Sequence, residues 1–250
     1  MKRLWPPVAL LAAAVGAWET LVRVENVHEY LLPAPSAVGQ ALSHDRGLLT
    51  DAALVTAKEI VLGFALAVGI GLAVAVLLHL SPVLRRAALP LLVLSQTVPT
   101  VVFAPLLAIG LGYGLAPKLV VVGVVCFFPV VVNAVHGLGS ADPELTRMMR
   151  TLHAGRGAIF RRVELPGALP SILTGARIAA TYAAVGAVFA EWAGSSSGLG
   201  FVMLQAQPSL ETARIFAAVV VLTAMALALY GAVVLAEHVL VPWNRKVSHA

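Results

Sequence analysis

Charge is what this sequence has least of. Only 12% of its 250 residues are Asp, Glu, Lys or Arg, while 60% are hydrophobic. Soluble domains carry roughly 25% charged residues. A soluble fold has no interior large enough to hide so much apolar surface, whereas a bilayer solvates it. Cysteine is almost missing too. Cys126 stands alone in an apolar run, which excludes a disulfide framework and a thiolate metal cluster. No His, Asp and Glu grouping has metal-ligand spacing, so no metal site is expected. The phosphate loop Gly-x-x-x-x-Gly-Lys-Ser/Thr occurs nowhere, so this chain is not expected to bind a nucleotide through such a loop.

What the chain does have is long uncharged runs. No charged residue occurs from Ile60 to Leu84, Ala87 to Pro117, Leu119 to Ala141, Ile178 to Ala190 or Ile215 to Ala236, and a shorter run covers Leu4 to Trp18. About 20 apolar residues cross the hydrocarbon of a bilayer as a helix. The expectation is an all-α polytopic membrane protein with about six spans, near 4–22, 56–80, 89–111, 118–139, 175–193 and 214–241. The turn residues Gly110, Gly112, Gly114 and Pro117 separate the third from the fourth. Lys2, Arg3, the apolar run after them and Ala12, Ala13, Ala14 also suit a cleaved signal peptide, which would leave five spans.

The positive charges choose a direction. With six spans, Lys2, Arg3, Arg85, Arg86, Arg147, Arg150, Arg156, Arg161, Arg162, Arg177, Arg245 and Lys246 share one face. Arg23, Arg46, Lys58, Lys118 and Arg214 share the other. That is twelve against five, all seventeen basic residues, and the positive-inside rule puts both termini in the cytoplasm. The net charge of +5 therefore marks a membrane face, and no nucleic-acid partner is expected.

The longest cytoplasmic segment, Ser140 to Thr174, carries its own signals. Asp142-Pro143-Glu144 reads as a helix start: a side-chain acceptor, a first-turn proline and an acid at the positive dipole end. Leu145, Met148, Met149 and Leu152 follow at helical spacing, with Arg147 and Arg150 on other faces. Ala154-Gly155-Arg156-Gly157 breaks the helix, and a second short piece from Ala158 is expected to stop at Leu165-Pro166. Such an element either lies on anionic headgroups or docks a soluble partner.

These residues resemble the EAA loop of ABC importer permeases. Anchored on Leu165-Pro166, the family's glycine falls on His153 and its Glu-Ala-Ala on Arg147-Met148-Met149, so the core departs from the pattern while the flanks keep it. Further stretches are similar to the nitrate/sulfonate/taurine-type branch: Leu32 to Val38, Ser95-Gln96-Thr97-Val98-Pro99, Cys126 to Asn133, and Glu191 with Gly198-Leu199-Gly200. The resemblance implies a single permease domain over 1–250, of the type I ABC importer kind, in a bacterial inner membrane. It implies a 140–174 coupling loop built on Glu144, Leu145, Arg147, Met148, Met149, Arg150, Leu152, His153, Ala154, Gly155, Leu165 and Pro166. It implies a second copy of the chain, two ATPase subunits holding ATP and magnesium, and an external binding protein, periplasmic or lipid-anchored. Membrane lipids are the remaining partner, and no cofactor binds this chain. The cargo implied is a sulfonate-, nitrate- or taurine-like anion, or a vitamin precursor such as a thiamine pyrimidine or riboflavin.

Polar residues inside spans are costly and so are candidates for function. Gln96, Asn133, Thr181 and Tyr182 could face a pathway or bond neighbouring helices. Pro99, expected to bend the third span, and Glu191, near the outer interface, complete six pathway candidates, and Gly198 and Gly200 belong to an outer loop. Two other classes compete. A secondary transporter needs ion-coupling carboxylates, and Glu59, Glu191 and Glu237 fall near span ends. A membrane-bound serine hydrolase would use Ser196 in Gly194-Ser195-Ser196-Ser197-Gly198, which matches Gly-x-Ser-x-Gly but follows an apolar helix where that turn needs a strand.

Overall fold

Small residues at four-residue spacing let helices approach closely where lipid supplies no hydrophobic drive between them. Gly63, Ala67, Gly71 and Ala75 form such a ridge. In the computed structural model, which describes residues 5–243, this ridge lies on the long helix α3 (Arg46–Leu80) and packs against α6 (Leu115–Gly139). A Cβ on Gly63 would meet Val122, and one on Gly71 would meet Val130. On the other side of α6 runs α9 (Leu165–Trp192), whose Gly175 lies against the Pro129 carbonyl and Asn133. Helix α6 is thus the centre of the bundle. Cys126 sits in the middle of it, fully buried, with its Sγ donating to the Ala179 carbonyl at 3.3 Å.

Among the described residues five helices are long and apolar enough to cross a membrane: α1 (Trp5–Val24), α3, α6, the helix ending in α9, and α11 (Thr212–Leu240). Short helices α2 (Pro35–His44), α7 (Pro143–Thr151), α8 (Arg156–Ile159) and α10 (Leu199–Ala206) complete the order with α4 (Pro82–Ser95) and α5 (Thr100–Leu111). Among the described residues there is no strand. Lys2, Arg3, Arg245 and Lys246, four of the twelve basic residues assigned to the inner face, lie outside the described residues, as does Leu4 at the start of the first expected span.

Three boundaries differ from the sequence expectation. The second span begins at Arg46, because hydropathy marks the part of a helix in lipid and α3 runs beyond it. Its 35 residues make a rod of about 52 Å. The third span, expected as one helix, is two. Val98 precedes a proline and so avoids helical backbone, and Pro99 is extended (φ −61°, ψ 120°), which separates α4 from α5 at Gln96 to Pro99. The Ser95 hydroxyl donates to the Leu92 carbonyl at 2.7 Å, and the Thr97 hydroxyl and N–H both reach the Leu94 carbonyl at 2.8 and 3.0 Å, so these acceptors stay satisfied at the break. Finally, the chain does not stop at Leu165-Pro166. A π turn, Phe160–Glu164, widens the helix so that the Leu165 N–H reaches the Phe160 carbonyl. The helix from Arg156 thereby passes Pro166 and continues to Trp192.

Helix α1 barely joins this bundle. Trp18 meets Phe216 at 5.6 Å between ring centroids, and Glu19 accepts from the Ser36 N–H and hydroxyl at 3.0 and 2.8 Å. Most of its remaining surface is exposed apolar side chain.

Candidate functional sites

The break between α4 and α5 opens a groove of about 620 Å³ against α6 and α9. Gln96 and Pro99 line it from the break, Asn133 from α6 and Tyr182 from α9, with Phe128, Phe189, Ile178 and Val185 among the apolar walls. Neither Lys nor Arg is in the lining. The structure thus brings four of the six pathway candidates to one concave surface. The Asn133 amide spends one donor on the Pro129 carbonyl at 2.8 Å, and the Tyr182 side chain is exposed on this chain. Thr181 lies beside the groove outside its lining, its hydroxyl bonded to the Ile178 carbonyl at 2.7 Å.

Glu191 is placed elsewhere, in a buried polar network at the end of the bundle opposite α7. Glu191 is 0% and Glu59 1% exposed. Thr56 donates to Glu191 Oε1 at 2.6 Å and receives the Leu199 N–H at 2.9 Å. Glu191 Oε2 accepts from the Gly200 and Phe201 N–H groups. Lys118, nearly buried at the start of α6, contacts Glu59 Oε1 and Ser195 Oγ, each at 2.6 Å. Helices α3, α6 and α9 and the loop 193–198 are therefore tied at one point.

The glycines flanking Leu199 explain themselves here. Gly198 has φ +109°, and a Cβ on either Gly198 or Gly200 would run into the Glu191 carboxylate. Only bare backbone closes over that acid. The charge count set Lys118 on the outer face, at the start of the fourth span, and missed its pairing. The available signal was one lysine and two acids at the ends of three adjacent spans, where opposite charges in lipid seek each other.

The Ser196 turn follows α9 rather than a strand, so the strand–turn–helix elbow of a hydrolase is not built here. The neighbouring Ser195 hydroxyl accepts from Lys118 Nζ and donates to the Ser197 carbonyl at 2.6 Å, and Lys118 is also paired with Glu59.

At the opposite end, α7 forms where expected. The Asp142 carboxylate caps it, accepting from the Glu144 N–H at 2.7 Å, with Pro143 in the first turn. Leu145, Met148 and Leu152 are exposed at 45%, 52% and 69%, Met149 is half-buried, and Arg147 and Arg150 are exposed. Leu145, Met148 and Leu152 thus leave apolar surface uncovered by the described chain. The helix ends in a tight left-handed cap. His153 has φ +58°, its N–H reaches the Arg150 carbonyl at 2.9 Å, and the Ala154 N–H reaches Met149 at 3.0 Å. Ala154 and Gly155 then lead into α8. Leu165 and Pro166 sit just beyond the π turn, half-buried, at the start of α9.

Comparison with known proteins bears on both surfaces. A family profile described as binding-protein-dependent transport system inner membrane component matches residues 65–246. A probable ABC transporter permease protein from Haemophilus influenzae is 35% identical over 228 residues, 91% of this chain and 93% of that protein. A riboflavin transport system permease protein from Chloroflexus aurantiacus is 36% identical over 248 residues, 96% and 91% of the two chains. A formylaminopyrimidine transport permease protein from Halalkalibacterium halodurans is 35% identical over 161 residues, 64% of each.

Proposed function

Because this chain belongs to the family of binding-protein-dependent transport system inner membrane components, we propose that it is the membrane-spanning subunit of an ATP-driven importer for a small heteroaromatic solute. The observation that carries the reading is the groove at the helix break. Irregular backbone at membrane depth is tolerated where it lines a cavity, and discontinuous helices mark substrate sites in other transporters. The groove combines aromatic walls, Gln96, Asn133 and Tyr182, and no cation. Flat rings stack on such walls and bond to a few amides and hydroxyls. Two relatives named for riboflavin and formylaminopyrimidine transport agree with a ring-shaped cargo. A sulfonate-, nitrate- or taurine-like anion would want a cation that this lining lacks.

In this reading two copies of the chain face each other across the groove, and two ATPase subunits sit on the exposed Leu145, Met148 and Leu152 of α7 from the cytoplasm. ATP and magnesium bind there, not on this chain. Both termini are cytoplasmic, and an external binding protein delivers cargo at the end that carries α2 and α10. The polar network around Glu191 holds the outer loop rather than the cargo.

The test is uptake into proteoliposomes containing this chain, its ATPase and a riboflavin- or pyrimidine-loaded binding protein. Uptake and ATP hydrolysis should both rise with loaded binding protein, and Tyr182→Ala should lower uptake about tenfold or more by removing one aromatic wall. Uptake driven by a proton gradient without any ATPase would overturn the proposal in favour of a secondary transporter. Uptake of taurine or an alkanesulfonate in place of the ring compounds would keep the importer and reject the cargo class.

A further inference from the structure

A second, smaller cavity of about 290 Å³ lies between the C-terminal end of α3 and the segment that follows α7. His79 and Leu80 close it from α3, Arg150 comes from the last turn of α7, and Arg156, Phe160 and Glu164 come from α8 and the π turn. Two arginines therefore border one concavity, both exposed. Among the described residues neither the Arg150 nor the Arg156 side chain has an ion-pair or hydrogen-bond partner, as is so for most arginines here; the paired ones are Arg23, Arg177 and Arg214. The single acid in the lining is already engaged, Glu164 Oε2 with His79 Nε2 at 2.9 Å. Charge in the cavity is thus left positive.

The backbone adds donors of the same sign. Gly157 lines the cavity in the first turn of the helix that starts at Arg156, where N–H groups have no intrahelical partner, and Gly155 before it supplies no side-chain cap. Phe160 and Leu80 give the opposite wall an apolar character. Arginine forks match the oxygens of a phosphate two at a time, and an apolar wall beside them suits whatever the phosphate is esterified to.

We infer that this cavity is a binding site for a phosphate-bearing anion, held by Arg150 and Arg156 at the seam between α3 and the loop that carries α7. The chemistry is shared by an anionic lipid headgroup and by free phosphate. The site does not depend on the transport reading above; only the side of the membrane on which the anion is met does. Its bound anion would tie α7 to the end of α3 through two charged contacts that the chain does not make by itself.

The experiment measures binding by the full chain, without an ATPase, so that its outcome is independent of transport. Inorganic phosphate is titrated onto the chain in uncharged detergent, and lipid retention is read by native mass spectrometry from nanodiscs of phosphatidylcholine with and without phosphatidylglycerol. Arg156→Gln should weaken binding about tenfold, as loss of one charge-assisted contact does. Arg156→Lys should recover part of it, and Arg86→Gln, a neighbouring basic residue outside the cavity, should change nothing. Retention of phosphatidylglycerol with no response to inorganic phosphate assigns the site to a headgroup, and a response to both assigns it to the phosphate group itself. Equal binding by wild type, Arg156→Gln and Arg86→Gln in both arms would overturn the inference.

Discussion

Lys118 shows how much one side chain can hold. Its ammonium is the only cation contacting Glu59 among the described residues, and Glu59 Oε2 already lacks a hydrogen-bond partner. Replacing it with methionine leaves a carboxylate buried and unpaired. Such breaks of a buried pair cost about 3–5 kcal/mol, while replacing both partners by apolar residues is often nearly neutral. Lys118→Met should therefore lower the thermal unfolding midpoint sharply, and the double variant Glu59→Leu/Lys118→Met should recover most of the loss. Equal midpoints for the single variant and wild type would remove the pair from any structural role. His153 makes the opposite case. It occupies a left-handed position that costs an L-residue about 1–2 kcal/mol, at the place where the resembled pattern has glycine. His153→Gly should stabilise the end of α7 by about 1 kcal/mol, read as slower amide hydrogen exchange from Thr146 to Ala154.

Helices here are positioned by what their faces omit. Three glycines of α3 look alike in sequence, yet a Cβ on Gly63 or Gly71 would run into α6, and one on Gly69 would meet nothing within 4 Å. Gly63→Ala should force α3 away from Val122 and destabilise by about 1–3 kcal/mol. Gly69→Ala should be neutral or stabilise by up to about 1 kcal/mol, because it only removes backbone freedom from the unfolded chain. Paired thermal melts of the two variants check the contrast. The same elements show what the sequence could say. The uncharged runs fall on the five long apolar helices and on the α4–α5 pair, since hydropathy reports directly on how well a segment is solvated by lipid. The start of α7 was legible because Asp142, Pro143 and Glu144 act locally. The split at Gln96 to Pro99 was not, because a proline inside an apolar run permits either a bend or a break, and nearby hydroxyls decide which. The extension through Pro166 was hidden for a similar reason: a π turn rescues a proline only if the preceding residues can widen, which depends on Ile159 and Phe160 packing. The network at Glu191 required pairing residues 56, 59, 118, 191 and 200, a tertiary fact. Gln96, Asn133 and Tyr182 do meet at one groove beside Pro99, whereas the equally polar Thr181 and Glu191 do not, so polarity within an apolar span narrows the candidates without placing them.

Taken as one body, the chain has two unlike ends. Around Glu191 three helices and a loop are locked by buried hydrogen bonds. At the other end α7 stands out from the bundle, its Leu145, Met148 and Leu152 uncovered. A partner that moves α7 would move it against a fixed far end, with the groove between. Met148→Asp should abolish co-purification of the ATPase while changing the thermal midpoint of the chain little, since Met148 is 52% exposed and lies outside the buried core. Loss of both together would mean that the helix is part of the fold instead.

The burial of Cys126 has a practical consequence. With its one thiol sealed inside α6, the natural chain should be silent to water-soluble maleimides. A cysteine introduced at Gln96, Tyr182 or Leu145 then becomes the sole reactive handle without any prior engineering. Labelling rates at those positions can chart which surfaces open to water as the transporter turns over.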